Sequence, residues 1–211
     1  MSDAHAGAPR PPQEPGPSRR PVVAVFGGSF NPPHVAHLLA AVLAIATGGA
    51  SKVLVVPTFR HPFAKPLASF EHRVRMCELC MAGHPQIEVS RVEQELGGES
   101  RTLRLVEHVR ATSPDVDLRL LVGADILLES AKWHGWEAIC AVAPPMVLGR
   151  VGALHPDAPV AVLPDVSSTR VRQLLTAREA DGDTRERELG ALVPRDVLAY
   201  ARAHSVYVEG P

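Results

Sequence analysis

The chain has 211 residues, 45% of them hydrophobic and 4% aromatic, and its 22 Lys and Arg against 23 Asp and Glu give a formal net charge of -1. That length is enough for one compact fold with a sizeable core. The even mixture of charges excludes the broad basic face by which proteins hold nucleic acid or an anionic membrane, so a bound phosphate has to be gripped locally.

Residues 1–20 are rich in proline and in small or polar types, without an apolar stretch suited to a signal peptide or a membrane span. They predict a disordered leader on a cytoplasmic protein, with residues 21–211 as its one domain. The apolar run Val22 to Phe26 predicts a first strand. It leads into "FGGSFNPPHVAH", Phe26 to His37. Gly27 and Gly28 fall where the chain must turn sharply and let a ligand approach the backbone. Neither a G-x-G-x-x-G fingerprint nor a Walker A lysine motif occurs, which argues against a dinucleotide dehydrogenase and a P-loop enzyme. Pro32 and Pro33 suit the start of a helix. His34 and His37 then lie one turn apart on one face, where the helix dipole and free amides favour an anion. A metal pair is the other reading, but Val35 and Ala36 stand where H-E-x-x-H requires its glutamate, and phosphate is preferred.

Helical spacing continues over His37 to Ala46, and Val53 to Val56 predicts the second strand. The next helix, Phe70 to Ala82, holds Cys77 and Cys80 of a C-x-x-C. With three cysteines in all and no second pair to complete a ligand set, they read as small buried hydrophobes. Ile87 to Ser90 predicts a strand, Thr102 to Ala111 a helix and Leu118 to Val122 a strand. Gly123 and Asp125 follow, where a carboxylate suits either ribose hydroxyls or a helix cap. Trp133 and Trp136 are the only tryptophans; core packing is the common fate of such rings, and an indole face also matches a cationic ring.

Met146 to Leu148 and Val160 to Leu163 predict the last strands. "DVSSTRVRQLL", Asp165 to Leu175, then opens a helix through hydroxyl caps. Its Arg170 and Arg172 oppose the helix dipole unless an anion binds there. Ala177 to Arg187 reads as a charged surface loop and Pro194 to His204 as a final helix. Strands alternating with helices predict a single doubly wound parallel α/β sheet, with ligands at the carboxyl ends of its strands.

Together, "GGSFNPPHVAH" and "SSTRVR" resemble the paired signatures of the HxGH nucleotidyltransferase superfamily, G-x-F-[DN]-P-x-H-x-G-H and S-x-T-x-x-R. Within it the chain is similar to the bacterial nicotinate-nucleotide adenylyltransferases. Further matches are "PTFRHPFAK", "GAD" at Gly123 to Asp125, "KWHGWE" at Lys132 to Glu137, "GR" at Gly149 and Arg150, and "LVPRDVLAYARAHSVY". Ala36 replaces the usual glycine between the histidines, Asn31 a more common aspartate, "HPFAK" a P-P-H-K and "SRTLR" a stretch similar to S-Y-T-x-D. The resemblance implies a Rossmann-like HxGH fold and transfer of AMP from ATP to nicotinate mononucleotide, giving deamido-NAD and pyrophosphate in NAD biosynthesis. It implies catalytic roles for His34, His37 and Arg172, and ATP contacts from Gly27, Gly28, Ser29, Phe30, Gly123, Asp125, Ser168 and Thr169. Lys65, Thr102, Trp133 and Arg150 would meet the acceptor. Mg²⁺ would accompany ATP, held by phosphates and water rather than by protein ligands. No nucleic acid or membrane partner is expected, and assembly into a homo-oligomer is left open. The alternatives are a sibling enzyme that uses nicotinamide mononucleotide or phosphopantetheine, and a non-catalytic nucleotide-binding module.

Overall fold

Six runs of β-branched and aliphatic residues pair side by side: β1 (Val22–Gly28), β2 (Lys52–Pro57), β3 (Ile87–Val89), β4 (Asp117–Gly123), β5 (Pro145–Arg150) and β6 (Ala161–Leu163). They form one all-parallel sheet in the order β3-β2-β1-β4-β5-β6. This computed structural model describes residues 20–61, 66–129, 133–151, 161–177 and 182–207. Residues 1–19 of the expected leader, and Lys65, lie outside them.

The strand order runs one way from β1 to β3 and the other way from β4 to β6. A crevice therefore opens between the carboxyl ends of β1 and β4, where the connections diverge. Strand alternation feeds two cores. Ala24, Val53, Val55 and Leu121 pack with α1 (Val35–Ala46), α2 (Phe70–Met81), α7 (Ser168–Thr176), α8 (Gly182–Leu192) and α9 (Arg195–Ala203). Val25, Val56, Leu120 and Val122 pack on the other face with α3 (Val92–Leu96), α4 (Thr102–Thr112) and α6 (Trp136–Val142). A short α5 (Ala124–Glu129) follows β4.

Local chemistry explains the helices nearest the crevice. In α1 the buried residues are Ala36, Ala40, Ala41 and Ala44, whose small side chains let the helix lie close on the sheet. Ser69 caps α2 by accepting from the His72 N–H at 3.2 Å. Cys77 and Cys80, free and 0% and 3% exposed, are part of its packed face. Burial pushes the Cys80 thiol up to about 12 and the Cys77 thiol well above its ordinary value, so both stay unreactive thiols.

The structure corrects the reading of Ala177 to Arg187 as a charged loop, since α8 occupies Gly182–Leu192. The segment is rich in good helix formers, and its single buried residue, Leu189, anchors it to the core. Its charges are spent on ion pairs, Glu186 with Arg202 at 2.6 Å and Glu188 with Arg170 at 2.8 Å. Helices α3, α5 and α6 have 5, 6 and 7 residues, too few for a helical period to stand out in the sequence. Replacing Leu189 by Ala is expected to lower the unfolding free energy by about 2–4 kcal/mol, read from denaturant melts. A change under about 0.5 kcal/mol, as at a surface position, would show that α8 is not anchored.

Candidate active site

The crevice holds a cavity of about 590 Å³ that draws Gly27, Gly28 and Ser29 from the end of β1, Gly123 from β4, and Ser168 and Thr169 from α7 to one wall system. Two helix starts converge here. The hydroxyl of Ser168 donates to the Pro32 carbonyl at 2.8 Å, so the amino ends of α1 and α7 are tied together. Neither helix has an acidic residue in its first turn. Both ends therefore direct uncompensated partial positive charge and first-turn amides towards the cavity.

His34 is the N-cap of α1, in extended conformation at φ -146° and ψ 174°, so the prolines precede the helix rather than open it. Its ring stacks on that of His37, with centroids 3.8 Å apart and planes at 29°. The His34 N–H donates to His37 Nδ1 at 3.1 Å. That bond makes Nδ1 the acceptor and leaves the neutral ring's proton on Nε2. His34 Nδ1 is buried without a hydrogen-bond partner among the described protein atoms. Burial first, and the nearby Arg150 guanidinium second, push His34 down to about 4. Burial, then His34, then Arg150 hold His37 well below its ordinary value. In the free protein both rings are neutral donors at physiological pH.

The two glycines act differently. A Cβ on Gly28 would press on the Phe30 ring at 3.1 and 3.2 Å, whereas one on Gly27 meets no atom within 4 Å. Gly28 is needed for packing; Gly27 keeps the cavity wall bare. On the opposite strand, a Cβ on Gly123 would collide with the Asp125 carboxylate. Asp125 lies in the first turn of α5, 3.6 Å from an Arg150 nitrogen. Arg150 also donates to the Val166 carbonyl at 2.6 Å and stands 3.7 Å from Asp165. It therefore joins the ends of β4, β5 and β6 beside the histidines.

Trp133 and Thr102 also line the cavity. Trp133 meets Trp136 edge to face at 5.7 Å, and only Trp133 of the pair faces the cavity. Three side chains near the crevice find partners within the protein. Phe30 is 1% exposed and its ring packs edge-on against His37 at 4.9 Å and Phe26 at 5.4 Å. Arg172 is committed to the Asn31 carbonyl at 2.7 Å and to Thr169 Oγ1 at 3.2 Å. Arg170 is balanced within the protein by two bonds of 2.9 Å to Glu188, so its charge requires no bound anion.

The cavity also contains a carboxylate that sequence reasoning passed over. Glu93, 6% exposed, sits in the one-turn α3, with its carboxyl raised chiefly by burial and lowered in part by a hydrogen bond from Ser100. Ser100 Oγ in turn accepts from the Phe59 and Arg60 N–H groups at 2.9 and 3.3 Å. No motif in the sequence marked it, since Glu93 lies in "RVEQEL", upstream of the "SRTLR" stretch.

The family described as Cytidylyltransferase-like matches residues 25–174. A protein of Anaeromyxobacter sp. (strain K) named "Probable nicotinate-nucleotide adenylyltransferase" is 46% identical over 189 residues, covering 88% of this chain and 96% of its own. The protein of the same name from Myxococcus xanthus (strain DK1622) is 40% identical over 186 residues, covering 88% and 94%. Among solved structures, Plasmodium falciparum nicotinic acid mononucleotide adenylyltransferase complexed with NaAD has a TM-score of 0.75 over 89% of this chain and 97% of its own, at 17% identity. At that identity the likeness is one of fold.

Two measurements follow from this geometry. In the unfolded chain an imidazole takes a proton near 6.5, but in the fold His34 does so only near 4. Between those values the unfolded state binds more protons, so stability is full above about pH 6.5 and falls as pH drops towards 4. Denaturant melts of His34→Gln should show a shallower loss over that window than the unaltered protein; equal slopes would contradict the burial. Gly27→Ala should leave the melting temperature unchanged and weaken ATP binding at least tenfold by calorimetry, because the added methyl occupies ligand space alone.

Proposed function

The chain belongs to the Cytidylyltransferase-like family and within it to the nicotinate-nucleotide adenylyltransferases, and on that premise we propose that it transfers the adenylyl group of ATP to nicotinate mononucleotide, forming deamido-NAD and pyrophosphate. This is an enzyme of NAD biosynthesis. The observation that carries the reading is the stacked, neutral His34–His37 pair at two joined helix starts, with an unpartnered ring nitrogen buried beside the cavity.

An oxygen of the acceptor's phosphate attacks the α-phosphorus of ATP. The bond from that phosphorus to the α–β bridging oxygen breaks, and pyrophosphate departs with the electron pair. No covalent intermediate on the protein is required, so catalysis reduces to holding two phosphates in line and offsetting the charge that builds on the leaving group. His37 offers Nε2–H and His34 a ring N–H to the α- and β-phosphate oxygens. The amides that open α1 and α7, with Thr169, receive the terminal phosphates. Ser168 has its hydroxyl proton committed to Pro32, and its share in this scheme is its backbone N–H. Arg150 supplies positive charge beside the histidines, and Arg172 fixes the loop and Thr169 through its two bound nitrogens.

In this scheme Asp125 accepts from the ribose hydroxyls of the adenosine, and Trp133, which lines the cavity, stacks on the pyridinium ring. Mg²⁺ would accompany ATP, held by phosphates and water, and would supply neutralisation of the phosphate chain. No helix among the described residues is long and apolar enough to cross a membrane, and a cytoplasmic location is part of the same proposal.

Pyrophosphate release with ATP and Mg²⁺ tests the reading. Turnover is expected with nicotinate mononucleotide and not with phosphopantetheine, and His37→Ala should lower kcat about a hundredfold, the usual effect of removing one transition-state donor. Release with nicotinamide mononucleotide alone would move the assignment to an amide-specific sibling, and no release with either pyridine nucleotide would reject it.

A further inference from the structure

The segment that joins β1 to α1 is gripped from behind by residues that do not face the cavity. Asn31, 3% exposed, accepts two hydrogen bonds at Oδ1, from the Ala68 N–H at 3.0 Å and from the Tyr207 hydroxyl at 3.0 Å. The amide N–H can only donate, so the accepting atom is the Asn31 oxygen. Arg73, 1% exposed, donates to the Ala68 carbonyl at 2.9 Å and to the Ser29 carbonyl at 3.0 Å. Ala68 is thus held through both of its backbone groups.

We propose that Tyr207 and Arg73 are positioning residues for adenylyl transfer, which clamp Ser29 to Asn31 from the protein side and so set the aim of His34 and His37. The inference rests on the activity proposed above. Tyr207 comes from the turn after α9, 176 residues beyond Asn31. That helix is itself held on α2 through the bond between Tyr200 Oη and His72 Nδ1 at 3.0 Å. Burial raises the Tyr207 phenol above its ordinary value, so it remains a hydrogen donor at any working pH.

The mechanical route is short. Asn31 is followed by Pro32 and Pro33, which restrict the backbone, and then by His34, whose N–H fixes His37 Nδ1. A shift of Asn31 therefore carries the backbone of His34 and, through it, both imidazoles. Ser29, whose carbonyl Arg73 takes, lines the cavity itself. In-line transfer is sensitive to misplacement on this scale.

The test compares the unaltered protein with Tyr207→Phe, which removes one hydroxyl and keeps the ring. Binding of a non-hydrolysable ATP analogue with Mg²⁺, read by calorimetry, needs no acceptor. Turnover with nicotinate mononucleotide gives kcat and KM. Tyr207→Phe should weaken analogue binding several-fold and lower kcat about tenfold, with the acceptor KM within about twofold and the melting temperature within a few degrees. If Tyr207 acts through Asn31, the same change made in Asn31→Ala should have no further effect on binding or kcat. Should Asn31→Ala fail to fold, Asn31→Asp keeps an acceptor for both bonds and should retain activity and its sensitivity to Tyr207→Phe. Unchanged binding and kcat in Tyr207→Phe, or effects that multiply in the double variant, overturn the inference. An unaltered protein that binds the analogue but does not turn over nicotinate mononucleotide overturns the proposed activity instead, and the clamp is then judged on binding alone.

Discussion

The hydrogen bond from the Ser168 hydroxyl to the Pro32 carbonyl joins two points 136 residues apart in the chain, and the candidate site depends on it. Each helix start alone is a weak attractor for an anion, worth about 1 kcal/mol at an exposed end. Brought together at the crevice between β1 and β4, α1 and α7 form a concave, partly desolvated pair of amide clusters, where the same dipoles act through less water. The strand order makes this meeting possible, because β1 and the connection into α7 lie on opposite sides of the point where the sheet changes direction.

In a chain of net charge -1, the described wall of the crevice relies on more than cations to favour an anion. Among the described residues, two neutral imidazoles, backbone amides and the Arg150 guanidinium face it. Arg150 has a double effect. It adds positive potential where phosphate would sit and, by the same field, disfavours protonation of His34 and His37. Charge delivered by the ligand would oppose that field, so ligand and histidine protonation states are coupled through one residue.

The polar support behind the site has a thermodynamic logic of its own. Arg73 is among the largest fully buried side chains, and burial lowers its pKa. Backbone carbonyls and the Phe70 ring at 5.6 Å take the place of water around the guanidinium. Such an arrangement is costly to leave half satisfied, which favours one conformation of the loop over a spread of near-equal ones.

Much of this was legible in the residues. Each strand was visible as an apolar β-branched run, and β1 with its glycine pair, α1 with its two histidines and α7 with its hydroxyl cap followed from period and local chemistry. These features depend on neighbours a few residues away, which the sequence displays directly. The charged stretch that became α8 was misread because only Leu189 marks its buried side. Phe30, Arg170 and Arg172 lay correctly in their elements, yet their partners, His37, Glu188 and Asn31, could not be inferred. The sequence by itself determined the strands, the helices α1, α2, α4, α7 and α9, and the family, because propensity, periodicity and motif spacing are local. Only the tertiary structure decided which polar groups reach the cavity and which are consumed holding the loop, because hydrogen-bond choice depends on distances between segments that fold together from far apart in the chain.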